Sequence, residues 1–262
     1  MRVIGCQIDI AWEDKAENHR RVLRQLRHLN SSEPVAGALV VLAEMFSTGF
    51  SMNVRGITDS ESRATQQFLS DTAKEFGIHL LGGVVTTDPS GEGRNECVLY
   101  SPDGVEEARY CKIRRFTIGG EADNYVAGTE PVIFTLQGIK IAPFICYDLR
   151  FPELFRAATR LGAQAFTVIA SWPQPRIQHW IRLLEARAIE NQAYIIGVNR
   201  CGTDPMHKYT GDSMIVDPRG QVVAHAGPEP GTISADWNLD YLLEYRRTFP
   251  FLDDMLPWPC MT

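Results

Sequence analysis

No run of apolar residues in this sequence reaches the roughly 18 that a membrane span needs, so no transmembrane segment is expected. Blocks of basic residues are missing too. Charges of both signs are mixed along the chain and the formal net charge is -6, which argues against a nucleic-acid partner. Of six cysteines, none stands in Cys-x-x-Cys spacing, and no Cys/His cluster has the spacing of a zinc site. Short-period repeats, low-complexity tracts and linkers are also absent. What is left is ordinary globular composition, 44% hydrophobic and 22% charged over 262 residues. A chain of this length buries about 70–75% of its unfolded surface. The opening Met1-Arg2-Val3-Ile4-Gly5-Cys6-Gln7-Ile8 reads as a strand, since its apolar run is too short for an export signal and Asp9 interrupts it. A cytoplasmic protein with reduced thiols is therefore expected. We expect a single domain over 1–262, with a short C-terminal extension from about residue 238.

Short apolar runs alternate with amphipathic stretches. Strands are expected over 3–10, 38–43, 78–86, 140–145, 165–170, 194–199 and 233–237. Helices are expected over 14–30, 60–76, from about 152 to 161, over 176–192 and over 239–247. Gly77 is a good helix stop, and Pro152 suits a first helical position. Hairpins are expected where 96–101 and 105–110 flank Pro102-Asp103-Gly104, and where 213–217 and 222–226 flank Pro218-Arg219-Gly220. The β-α-β pieces call for parallel pairing and the hairpins for antiparallel pairing. Together they predict a layered α/β domain with mixed sheets.

Three polar residues fall at the carboxyl ends of strands, the edge where α/β sheets collect ligands. Glu44 ends the run 38–43, Lys112 follows 105–110, and Cys146 follows 140–145. Cys6, Cys97 and Cys201 read as small buried hydrophobes. Cys146 differs because it stands between a strand and the helix opening at Phe151-Pro152-Glu153. A helix N-terminus favours thiolate, and the turn offers free backbone N–H groups, such as that of Tyr147, to a developing oxyanion. On the residues alone, nucleophile and buried thiol remain equal readings of Cys146. No histidine completes a Cys-His pair: His179 lies on a helix with an apolar face to bury, and His207 and His225 sit in loop or hairpin contexts. That leaves a carboxylate as base and a lysine as fixed cation.

These blocks resemble the nitrilase superfamily, in its amidase branch, over nearly the whole chain. The glutamate block resembles Val41-Leu42-Ala43-Glu44-Met45-Phe46-Ser47-Thr48-Gly49-Phe50. The lysine block resembles Tyr110-Cys111-Lys112-Ile113-Arg114-Arg115-Phe116. The cysteine block resembles Ile145-Cys146-Tyr147-Asp148-Leu149-Arg150-Phe151-Pro152-Glu153. Ser171-Trp172-Pro173, His179-Trp180 and the run Leu184-Glu185-Ala186-Arg187-Ala188-Ile189-Glu190-Asn191-Gln192 are similar to the ω-amidase group. The resemblance implies a four-layer α-β-β-α sandwich, a homodimer, and hydrolysis of the side-chain amide of 2-oxoglutaramate or 2-oxosuccinamate through a thioester. It implies Cys146 as nucleophile, Glu44 as general base, Lys112 as oxyanion stabiliser and Glu121 as an accessory residue. No metal and no organic cofactor is implied; the partner is a small amide.

A terminal carboxylate on the substrate calls for arginine, whose planar fork makes paired hydrogen bonds. Arg176 is the first candidate, followed by Arg150, Arg114 and Arg115, with Trp172 packing on the substrate's carbon chain and Tyr125 closing the pocket. Three rival readings stand beside this one. They are an amidase or carbamoyl hydrolase of the same superfamily acting on another small amide, a redox-sensing thiol on Cys146, and a non-catalytic dimeric scaffold.

Overall fold

Largely apolar, mostly buried strands pair in parallel at the centre of two sheets. In the first sheet they are β1 (Arg2–Gln7), β2 (Leu39–Leu42) and β3 (His79–Thr87). Antiparallel strands flank them: β4 (Gly93–Tyr100) and β5 (Glu106–Cys111) beyond β3, and β14 (Gly231–Asp236) beyond β1. The second sheet repeats the plan. Its parallel centre is β7 (Ile139–Ile145), β8 (Ala165–Ala170) and β9 (Tyr194–Asn199). Its antiparallel flanks are β6 (Phe134–Leu136) on one side, and β12 (Met214–Val216) and β13 (Val222–His225) on the other. A separate small hairpin joins β10 (Cys201–Thr203) to β11 (Lys208–Thr210). The structure, a computed structural model, describes residues 1–255; Cys260 and the last residues of the expected domain lie outside them.

The two sheets face each other, β1 against β9, β4 against β7 and β2 against β8. Helix α3 (Ala64–Phe76) covers β3 and β4, with α1 (Lys15–Ser32) beside it. On the opposite side α5 (Pro152–Arg160) and α6 (Ile177–Asn191) cover the second sheet. The result is the four-layer α-β-β-α sandwich. Short helices α2 (Val54–Ile57) and α4 (Glu121–Asn124) lie in loops, and α7 (Leu239–Thr248) follows β14. Leu39, Val40, Val41 and Leu42 of β2 are all buried, each contributing about 1.5–3 kcal/mol. This burial places the carboxyl end of β2 inside the sandwich, so the residue that follows at position 44 is enclosed as well.

Two local expectations are corrected. The helix expected over 60–76 begins at Ala64. The Asp59 carboxylate accepts the N–H groups of Thr65 and Gln66, both at 2.9 Å, and caps the helix from outside it. Strands β6, β10 and β11 were not anticipated. Each has only three residues, too short for periodicity to register.

Candidate active site

Glu44 leaves the end of β2 and is fully buried. The next residue, Met45, takes a left-handed φ of 44°, which turns the chain. Its backbone presses on Gly83, where a Cβ would meet Met45 N at 2.3 Å; only glycine leaves that room. Both carboxylate oxygens of Glu44 are held. Oε1 accepts from Lys112 Nζ at 2.9 Å and Asn95 Nδ2 at 2.8 Å, and Oε2 accepts from the Ser171 N–H at 2.8 Å.

Lys112 follows β5. Its N–H donates to Asn95 O and its carbonyl accepts from Gly128 N, both at 2.8 Å. Its ammonium is 1% exposed and sits 2.9 Å from both Glu44 Oε1 and Glu121 Oε2. Burial works against that charge, but the carboxylates of Glu121 and Glu44 outweigh it and hold Lys112 well above its ordinary value. Glu121 opens α4, and its other oxygen accepts from Asn95 Nδ2 at 2.8 Å. An ammonium has three N–H donors. Two are spent on carboxylates, which leaves one for a substrate oxygen.

Cys146 opens a 3-10 turn, Cys146–Arg150, directly after β7, with φ at 47°. A left-handed non-glycine residue is strained, and such strain clusters at functional sites. Asp148 braces the turn. It accepts from Ile145 N at 3.0 Å, Tyr110 OH at 2.7 Å and Arg114 N at 2.8 Å, so it ties the cysteine turn to the strand that carries Lys112. Burial pushes the Asp148 carboxyl up to about 6.

The helix N-terminus expected beside Cys146 lies further along the chain. Helix α5 starts at Pro152, well beyond the cysteine. Burial, and then the charge of Glu44, push the Cys146 thiol well above its ordinary value, against the pull of Lys112. Both effects oppose loss of the proton from the resting sulfur. A thiolate formed without proton transfer would put three anions around one cation in a dry site. The chemistry open to this arrangement is attack with simultaneous transfer of the thiol proton to a carboxylate.

A cavity of about 600 Å³ opens above Cys146 and Ser171. Tyr147, Trp172, Arg150 and Arg176 line it, as anticipated. Arg150 lies 4.6 Å from the centre of the Trp172 ring and donates to His179 Nδ1 at 3.2 Å. Arg176 lies 5.5 Å from the Phe116 ring centre. Among the described residues neither guanidinium has a carboxylate within ion-pair distance. Burial, and then the like charge of Arg176, lower the Arg150 guanidinium. Trp12, Ile118 and Met206 form an exposed apolar mouth.

Three expected pocket residues are elsewhere. Arg115 does not line the cavity; its guanidinium donates to Ala122 O and Tyr125 O, both at 3.1 Å. Arg114 does not line the cavity; it pairs with Glu153 at 3.2 Å and stacks on Phe151. Tyr125 is fully buried among Met45, Val54, Ile57 and Val85, with its hydroxyl donating to Ser51 O at 2.6 Å. Its ring is needed for core packing and cannot reach a ligand. Asn95, Asp148 and Ser171 were missed as site residues. Asn95 carried a usable signal: in a strand it shares a face with Cys97 and Leu99, so it is a polar residue on an apolar face. Among the described residues no group of His, Cys, Asp and Glu side chains is placed to hold a metal ion, and no helix is long and apolar enough to cross a membrane.

Comparison with known proteins places this geometry. The 2-oxoglutaramate amidase of Bacillus subtilis (strain 168) is 34% identical over 254 residues, 96% of either chain. The fold superposes on XC1258 from Xanthomonas campestris, a CN-hydrolase superfamily protein with an arsenic adduct in its active site. The TM-score is 0.90 and the identity 30%, covering 99% of this chain and 98% of that one. An amidase from Nesterenkonia, solved as a variant with acrylamide added to its active-site cysteine, superposes with TM-score 0.83 at 25% identity, covering 95% of this chain and 98% of that one. The sequence pattern of the carbon-nitrogen hydrolases matches residues 2–247, and the chain belongs to that family, within the nitrilase superfamily, as an amide-hydrolysing enzyme.

Proposed function

We propose that the enzyme is an ω-amidase of the cytoplasm that hydrolyses 2-oxoglutaramate or 2-oxosuccinamate to the dicarboxylic acid and ammonia. As the Cys146 sulfur forms its bond to the amide carbon, its proton passes to Glu44 and the carbonyl electron pair moves onto oxygen. The remaining Lys112 N–H and the Tyr147 N–H hold that oxyanion. The oxyanion collapses, the carbon–nitrogen bond breaks, and Glu44 returns the proton to the leaving ammonia. Glu44 then takes a proton from water as the water oxygen attacks the thioester carbon, and returns it to the Cys146 sulfur as the carbon–sulfur bond breaks. Glu121 holds Lys112 in place. Burial and Glu44 oppose ionisation of the Cys146 thiol, which suits this scheme better than a redox sensor, which works as thiolate.

The observation that carries the substrate class is the pair Arg150 and Arg176, two guanidiniums facing the cavity beside Cys146 without a carboxylate partner among the described residues. A substrate carboxylate completes them. The 2-oxoglutaramate amidase among the relatives points the same way. The homodimer expected from the resemblance belongs to this reading.

Ammonia release from 2-oxoglutaramate, glutamine, asparagine and neutral aliphatic amides tests the assignment. Arg176→Met should cost the carboxylate-bearing substrate about 2–3 kcal/mol of transition-state stabilisation, about 30- to 150-fold in kcat/KM, and change the neutral amide little. Equal losses on both would remove Arg176 from substrate binding. A second reading, an amidase for a larger amide with an apolar portion, is favoured by the exposed Trp12, Ile118 and Met206 at the mouth. The same panel decides it if neutral apolar amides outrun 2-oxoglutaramate.

A further inference from the structure

Asn95 touches every charged member of the buried cluster. Its backbone carbonyl accepts the Lys112 N–H at 2.8 Å. Its side-chain nitrogen donates to Glu44 Oε1 and to Glu121 Oε1, each at 2.8 Å. The residue is 1% exposed, and its own Oδ1 is buried without a partner in the structure. Leaving a buried carbonyl oxygen unsatisfied is unfavourable. Rotating the amide by half a turn would be worse, because Oδ1 would then face two carboxylates. The fold therefore holds this amide for its donors.

Those donors divide the work between the two oxygens of Glu44. Oε1 already carries two hydrogen bonds, from Lys112 and Asn95. Oε2 carries one, from the Ser171 N–H at 2.8 Å, and Ser171 lines the cavity together with Cys146, since β8 and β7, which lead to them, run side by side. Oε2 is thus the oxygen on the nucleophile's side. We infer that Asn95 is a positioning residue of the catalytic cluster: by occupying Glu44 Oε1 and bridging to Glu121, it leaves Oε2 as the atom that takes and returns the Cys146 proton. This rests on Glu44 as the general base. The other groups facing Glu44 are Lys112 beyond β5, Glu121 on α4 and Cys146 beyond β7. Tyr125 lies further back; burial, and then the charge of Glu121, keep its phenol from ionising.

A donor to a carboxylate favours its ionised form, so removing Asn95's donors makes Glu44 harder to keep ionised. Asn95→Leu keeps the shape and deletes both donors. Asn95→Asp keeps the shape and supplies a donor only while the new carboxyl is protonated. Both variants are compared with the native enzyme for kcat, KM and kcat/KM against pH, with circular dichroism and thermal unfolding to verify the fold.

Asn95→Leu should lose about 10- to 100-fold in kcat with little change in KM. The acidic limb of its kcat/KM profile should move up by about one pH unit. Asn95→Asp should come nearest to native activity at the acid end and fall away from it as pH rises. In a Glu44→Gln background, Asn95→Leu should cost almost nothing more, because the two act as a unit.

A folded Asn95→Leu enzyme with an unmoved acidic limb overturns the inference, as does a full additional loss in the Glu44→Gln background. If Asn95→Leu does not fold, the pH trend of Asn95→Asp decides instead, and a flat ratio to native overturns it. Near-normal activity in Glu44→Gln by itself sinks the general-base reading, and the inference with it.

Discussion

Replacing Lys112 by methionine deletes the cation from the most enclosed ionic cluster in the molecule while keeping a long, unbranched side chain. Lys112 is 1% exposed, Glu44 and Glu121 are 0% exposed, and each nitrogen–oxygen distance is 2.9 Å. At an effective dielectric constant of about 20, one such contact amounts to about 6 kcal/mol of Coulomb attraction. Much of that is offset because the ammonium no longer has to be desolvated. Removing one partner of a buried pair leaves a net loss of about 3–5 kcal/mol, and Lys112→Met should fall in that range. Adding Glu121→Gln removes one of the two stranded carboxylates. The double variant should therefore be more stable than the sum of the single losses predicts, by about 1–3 kcal/mol. Urea unfolding at neutral pH and fixed protein concentration, followed by tryptophan fluorescence and circular dichroism, measures all three variants, and the slope should not change. Additive losses, or a Lys112→Met cost below about 1 kcal/mol, would mean that the cluster is wet and its charges barely interact. Loss of the thiol proton as sulfur attacks would then no longer be required, since that coupling depends on the same dryness.

Two further outcomes are expected. Cys146→Ala should abolish turnover with the fold retained, and Cys146→Ser should be nearly inactive because an alkoxide is far harder to form than a thiolate; ammonia release by either at a substantial rate would remove Cys146 as nucleophile. Asp148→Asn tests the raised carboxyl. Since burial lifts Asp148 from 3.8 to about 6, its contribution to stability is complete below the lower value and is lost as pH rises through the upper one, a change of about 3 kcal/mol. The native enzyme's advantage over Asp148→Asn should therefore shrink by about that much between acid and neutral pH, and a difference that stays flat with pH contradicts the assignment.

What could be read from the sequence was what is local or periodic. Continuous apolar runs marked the parallel strands at the centre of each sheet, and turn chemistry marked the hairpin at Gly104, which adopts a φ of 71°. Glu44, Lys112 and Cys146 stood out because each is a polar residue at the end of such a run. The helix cap at Asp59 was not legible, because the carboxylate reaches six and seven residues along the chain to Thr65 and Gln66. Nor was the bracing by Asp148, whose donors include Tyr110, 38 residues away. Tyr125 and Arg114 were misplaced for a related reason. Closeness in sequence to Lys112 says nothing about which way a side chain leaves a loop. Tyr125 turned inward to pack, and Arg114 turned away to meet Glu153.

The site draws on both sheets. Glu44, Asn95 and Lys112 belong to the first, Cys146 and Ser171 to the second, and the bond from Ser171 N to Glu44 Oε2 crosses between them. Neither sheet contains a working catalyst by itself. During synthesis Glu44 and Lys112 emerge before Cys146, and β1 waits for β14, more than 220 residues later, to pair with it. A chain made only as far as Lys112 therefore lacks Cys146, and Ser171 follows later still. In the finished enzyme, hydrolytic activity is itself a gauge of how closely the two sheets are docked.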